Sequence, residues 1–164
     1  MNRLAAITLC AGFALASALG RTENYSAYML AKGAVQGILS GAGRSKRGTI
    51  PILKFSLGDM RTANGRPGET EISVEFEGLD SLQFKRAYDT NETLKSVEID
   101  VVETIAIGSQ KVHEKITLTN ALVKSLVQSY ANGKAPIATM TFTYQKLEIA
   151  LDGHTVVSDS TWRV

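Results

Sequence analysis

Cysteine is almost missing from this chain of 164 residues, and the one present, Cys10, stands near the amino terminus. A single thiol forms no intrachain disulfide, so the fold has to rest on its core. Histidine occurs only twice, as His113 and His154, with no cysteine or second histidine at ligand spacing, which argues against a zinc site. Aromatics make up 7% of the chain and do not interleave with Lys and Arg, so a stacking platform for single-stranded nucleic acid is not supported. Charge of one sign is lacking too. With 18 basic against 16 acidic residues, no global electrostatic case for nucleic acid or an anionic membrane surface exists. No internal repeat or low-complexity tract is present.

A long hydrophobic run is also absent. Residues 1–18 carry one positive charge, Arg3, then the apolar stretch from Leu4 to Leu15, then Ala16-Ser17-Ala18, the small-residue pattern of a secretory cleavage site. The apolar stretch is well short of the roughly 20 residues that cross a bilayer as a helix, so a cleaved signal peptide is expected and stable membrane insertion is not. A lipoprotein reading of Cys10 fails because Leu9 precedes it where a small residue is needed. Cleavage after Ala18 removes the only cysteine and leaves residues 19–164 as one domain of ordinary size. Their charge is then nearly balanced, 17 basic residues against 16 acidic.

What is there in abundance is alternation. Val97, Ile99, Val101, Ile105 and Ile107 share one parity, opposite to Glu98 and Asp100; Ile72, Val74 and Phe76 alternate with Ser73, Glu75 and Glu77. A period of two puts apolar side chains on one face of a sheet and leaves the other wet. Such sheets close or stack. About eight such segments, punctuated by Asn64-Gly65, Arg66-Pro67-Gly68, Gly108-Ser109, Asn132-Gly133 and Asp152-Gly153, predict an all-β barrel or sandwich.

Two segments change phase. Phe142 and Tyr144 oppose Leu147, Ile149 and Leu151 in parity, and Ile50 and Ile52 oppose Leu53, Phe55 and Leu57 around Pro51. Either a bulge keeps both sets buried, or a neighbouring subunit covers the second face. Residues 120–133 are ambiguous: Asn120 could cap a helix ended by Gly133, whereas the β-branched residues of Ile116-Thr-Leu-Thr favour a strand. A strand to about Val127 and a loop through Pro136 are expected, with a short helix here or at residues 90–96 as the alternative.

Chemistry is hard to find. Gly43-Arg-Ser-Lys-Arg-Gly48-Thr49 superficially resembles a phosphate-binding loop, but Thr49 stands where that motif needs lysine and Pro51 interrupts any helix after it. His113 shares the polar parity of Lys111 and Lys115. Asp152, His154 and Ser158 are triad residue types without a nucleophile turn around the serine. No catalytic, cofactor-binding or metal-binding residue is assigned, and no enzyme is expected. Asn24-Tyr-Ser26 and Asn91-Glu-Thr93 match the glycosylation sequon.

Ile116-Thr-Leu-Thr-Asn-Ala-Leu-Val-Lys-Ser125, followed by Met140-Thr-Phe-Thr-Tyr-Gln-Lys-Leu-Glu-Ile149 and the terminus bearing Trp162, resembles the carboxy-terminal strand pair of the haemolysin-coregulated protein (Hcp) family. These are the ring-forming tube subunits of bacterial type VI secretion machines. Upstream, Tyr28-Met-Leu-Ala-Lys-Gly-Ala-Val-Gln-Gly37 and Ile50-Pro-Ile-Leu-Lys-Phe-Ser-Leu-Gly-Asp59 are similar to the family's first two strands, and Ile72–Phe76 and Leu82–Asp89 to its next two. The similarity runs over residues 26–164 and rests on the order of the pieces. Two features depart from the family: its helix after Asp89 would be short, displaced or absent, and a signal peptide is unexpected in a tube subunit.

The resemblance implies a closed or nearly closed antiparallel β-barrel with at most one short helix. It implies homo-hexameric rings stacked into an expelled tube, with small effectors and other machine components as further partners, and a secreted or periplasmic location. Residues 58–68 stand where the family has its extended loop. Their three glycines and Asn64-Gly65 read as too flexible for a strand, which makes Met60, Arg61, Asn64 and Arg66 the candidate inter-subunit contact. The competing reading is an exported β-barrel that binds a ligand or partner and has left the machine.

Overall fold

The computed structural model describes residues 24–39, 48–61, 67–78, 81–105, 109–151 and 153–159. The expected signal peptide, Asn64, Arg66 and Trp162 lie outside these residues.

The chain runs β1 (Asn24–Gly33), β2 (Gly37–Leu39), β3 (Ile50–Arg61), β4 (Pro67–Glu77), α1 (Leu82–Asp89), β5 (Leu94–Thr104), β6 (Gln110–Ser129), β7 (Ile137–Thr143), β8 (Lys146–Leu151) and β9 (His154–Asp159). Every pairing is antiparallel. β1 pairs with β3, β3 with β4, β4 with β7, β7 with β6, β6 with β5 and β5 again with β1, so six strands close into a barrel. β2 lies beyond β3 along the same edge of β1, and β8 lies beyond β7 along the same edge of β6 and carries β9.

Alternation fills the barrel. Ile72, Val74 and Phe76 of β4 face Val97 and Ile99 of β5, Ile116 and Leu118 of β6, and Met140 and Phe142 of β7 in one core cluster. Burying each such side chain contributes about 1.5–3 kcal/mol relative to exposure, which is what closes the sheet.

Both phase changes have a local backbone cause. In β3, Ile52 pairs with Phe76 and Lys54 with Glu75, so Leu53 is the extra residue of a bulge, and Phe55 is returned to the inner side opposite Val74. In the carboxy-terminal segment the cause is a break. β7 stops at Thr143 and β8 starts at Lys146, both on β6, whose own phase resets at Asn120 with φ 50°. The Asn120 amide donates to Gln145 Oε1 at 2.8 Å and fixes the junction. β6 continues as strand to Ser129, and residues 130–136 form the loop to β7, as the β-branched reading predicts.

One segment differs from expectation. Leu82–Asp89 is a helix, not a strand, and it supplies the barrel's one short helix among the described residues, ahead of the position expected for it. Its eight residues include no β-branched side chain and hold Gln, Lys, Arg and Ala, all good helix formers. Phe84 and Ala87, three apart, are the buried pair; Phe84 meets Phe76 with ring centroids 5.8 Å apart and tilted by 57°. Lys85 and Asp89 pair at 2.8 Å on the wet side. The helix ends in a Schellman turn, with Glu92 N–H to Ala87 O at 2.8 Å, Asn91 N–H to Tyr88 O at 3.2 Å, and Asn91 itself at φ 50°.

Candidate functional site

The registers give the barrel two unlike ends. At one lie the β1–β2 turn, α1 and the β6–β7 loop, since Gly33 pairs with Leu94 and Ser129 with Ile137. At the other lie the start of β1, the β3–β4 hairpin, the β5–β6 connection and the β8–β9 turn, since Asn24 pairs with Thr104, Thr104 with Gln110 and Leu151 with His154.

At the helix end a buried carboxylate organises the turn. The Schellman turn places Glu92, 7% exposed, beneath residues 34–36. Its Oε1 accepts the backbone N–H groups of Val35 and Gln36, each at 2.8 Å, and its Oε2 accepts Gln36 Nε2 at 2.7 Å. Gln36 Nε2 also donates to Gln83 O of α1 at 3.2 Å, and Ala34 N–H to Thr93 O at 2.9 Å. Burial pushes the Glu92 carboxyl up, but the Gln36 backbone and side-chain amides, the Val35 N–H and the Arg86 charge together hold it below its ordinary value. A Cβ at Gly33 would run into this carboxylate.

The start of α1 is fixed as firmly. Buried Ser81 donates to Gly78 O at 2.6 Å, Gln128 of β6 bonds both groups, and Gly78 N–H reaches Pro136 O at 2.7 Å. Yet this end presents Val35, Leu82 and Tyr130 to solvent, 83%, 79% and 75% exposed. A rigid frame therefore carries apolar side chains outward.

At the hairpin end β3 parts from β1. Only Met29, Tyr28 and Ala27 of β1 pair with Ile50, Pro51 and Ile52. Pro51 has no N–H and the Leu53 bulge twists the strand away. The parting leaves an open cleft of about 530 Å³ lined by Tyr25, Ala27, Pro51, Leu53, Phe55 and Val101 among others. Tyr25 packs against His113, ring centroids 5.5 Å apart, so this histidine sits half-buried at an aromatic contact. On the barrel wall Lys115 joins Glu98 at 2.6 Å and Asp100 at 3.9 Å, and the Glu98 hydrogen bond is the main cause that raises the lysine's pKa.

Met60 and Arg61 belong to the paired end of β3, Arg61 facing Pro67, whereas Asn64 and Arg66 lie outside the described residues. Residues 58–61 and 67–68 are thus strand rather than loop: the two backbones satisfy each other across the hairpin, and glycine does not prevent that. Glu92, which the sequence shows only as the middle of a sequon, was not legible as a functional residue. Among the described residues no three His, Cys, Asp or Glu side chains gather to hold a metal ion, and no helix is long and apolar enough to cross a membrane.

The molecule is a small closed antiparallel barrel with a helix at one end and a hairpin at the other. The chain belongs to the Hcp family: the family described as "Type VI secretion system effector, Hcp" matches residues 28–150. Among solved structures it is similar to an Hcp protein at 20% identity and TM-score 0.70, covering 82% of this chain and 99% of that one. It is similar to the secreted protein Hcp3 from Pseudomonas aeruginosa at 21% identity and TM-score 0.66, covering 86% and 100%. Hcp1 from E. coli, in a mutant form, matches at 15% identity and TM-score 0.68, covering 82% and 98%. No curated protein matches the sequence.

Proposed function

We infer that this chain is a structural tube subunit of a type VI secretion system, forming closed rings of six copies that stack into a hollow, expelled tube. The observation that carries the reading is the family match over residues 28–150 on a closed barrel with two unlike ends. A ring needs a heterologous joint, and stacked rings need a second one. Exposed apolar side chains on the outer strand β9, Val156 and Val157, suit the first, because β9 pairs only with β8 among the described residues. The protein works by assembly rather than catalysis, reaches a secreted or periplasmic location, and can carry small effectors in the tube lumen. Met60, Arg61, Asn64 and Arg66 of the hairpin form part of an inter-subunit contact.

The amino-terminal pattern Ala16-Ser17-Ala18 favours a second reading, a barrel exported on its own to bind a partner. Sedimentation and electron microscopy of the purified protein separate the two. Discrete rings that stack at higher concentration support the tube subunit. A strict monomer at high micromolar concentration overturns it in favour of the binding module.

A further inference from the structure

We propose that stacked copies mate through a knob and a cleft: the Val35 turn at the helix end of one barrel seats in the cleft between β1 and β3 at the hairpin end of the next. The proposal rests on the tube reading and names the residues of its stacking joint.

The knob is preformed. Residues 34–36 are a three-residue loop closed by Gly37 at φ 73°, and Val35 at the tip is 83% exposed. Loops of this kind are ordinarily held by their own backbone. Here a carboxylate 57 residues away in sequence is buried to bond the N–H groups of Val35 and Gln36, and a third bond ties Gln36 to the same group. Burying a charge has a real desolvation cost, offset only by such hydrogen bonds. The result is an apolar tip presented in one fixed conformation, which lowers the ordering cost of a contact.

The cleft is its match in character and position. Its walls are mainly apolar, from Ala27, Pro51, Leu53, Phe55 and Val101, with Lys54 beside them, and at about 530 Å³ it is within the range of binding pockets, roughly 300–1,000 Å³. Leu53, the bulge residue, stands 57% exposed on its rim. Knob and cleft sit at opposite ends of one strand: β1 opens beside the cleft at Tyr25 and closes into the turn after Gly33. The barrel between them is about 25–30 Å long by the rise of a strand. Unlike, complementary features at the two ends of a rigid body generate head-to-tail stacking of identical copies, so the occupant of the cleft is a second copy of this chain.

The full chain is assembled and stacking is read by sedimentation velocity and electron microscopy. Val35→Lys sets a second cation against Lys54 among the apolar walls of the cleft and should raise the concentration for half-maximal stacking at least about tenfold, equivalent to about 1.4 kcal/mol, while single rings and the thermal midpoint stay as in the parent. Leu53→Asp should do the same from the other side. Glu92→Gln should speed amide exchange at Val35 and Gln36 and weaken stacking, with rings intact. In a Cys10→Ser background, Val35→Cys combined with Leu53→Cys should give a ladder of disulfide-linked chains on oxidation, and neither cysteine alone should. Rings of Val35→Lys that stack like the parent, or stacks of the double-cysteine chain that give no ladder, overturn the joint and leave the tube reading standing. A parent that forms no ring overturns both.

Discussion

Glu92 holds Gln36 by both ends of its carboxylate: Oε1 accepts the backbone N–H at 2.8 Å and Oε2 accepts the side-chain amide at 2.7 Å. One side chain thereby joins the end of α1 to the β1–β2 turn, and, against the upward push of burial, its hydrogen-bond donors hold its carboxyl below the ordinary value.

A carboxyl whose pKa is lowered in the folded state stabilises that state above the unfolded chain's value of about 4.5, and the contribution is lost as pH falls through the lower folded value. Acid titration of unfolding free energy should therefore fall less steeply below pH 4.5 in Glu92→Gln than in the parent. Glu92→Ala leaves buried donors without a partner and should cost about 1.5–3 kcal/mol at neutral pH, measured by urea unfolding.

Gly33 lies against that carboxylate, so Gly33→Ala should destabilise by about 1–3 kcal/mol through overpacking. A Gly33→Ala, Glu92→Ala double-mutant cycle checks the cause, because removing the carboxylate should relieve most of the alanine's effect.

Phe84 is the main core contact of α1, fully buried against Phe76. Phe84→Ala should cost about 3–5 kcal/mol in denaturant melts. Leu82→Ala, at an exposed neighbour on the same helix, should change stability by no more than about 0.5 kcal/mol.

Charge reversal in the hairpin tests the contact proposed there. The double variant Arg61→Glu, Arg66→Glu should fold with unchanged stability and assemble or stack poorly, read by sedimentation. Unchanged assembly and secretion would remove the hairpin from the joint.

Intact-mass measurement of the native protein should give an amino terminus near Leu19 or Gly20. A full-length chain starting at Met1 in the cytoplasm would end the export reading and strengthen the tube assignment.

The alternation of Ile72, Val74 and Phe76 and of Val97 and Ile99 made a one-sided sheet legible, because a period of two has a single geometric reading. Pro51 marked the β3 irregularity for a similar reason: it lacks the donor that a ladder needs. The strand at Ile116–Val127 was legible from its β-branched first half. By contrast, Leu82–Asp89 carries Leu82 and Phe84 two apart and Phe84 and Ala87 three apart, and eight residues are too few for either period to win. Packing of Phe84 on Phe76 at the end of β4 decided for helix. The break at residues 144–145 was likewise decided across strands, by Asn120 and Gln145.

Local sequence thus determined strands such as those at Ile72–Phe76 and Val97–Val101 and which face of each is apolar, since both follow from residues a few positions apart. Closure of the six strands, the parting of β3 from β1 and the burial of Glu92 beneath a turn 57 residues away belong to the tertiary structure. An isolated glutamate in a polar connector looks like any solvated side chain. Only when the closed barrel removes water from around it do its bonds to Val35 and Gln36 become the cheapest way to satisfy both the charge and the turn.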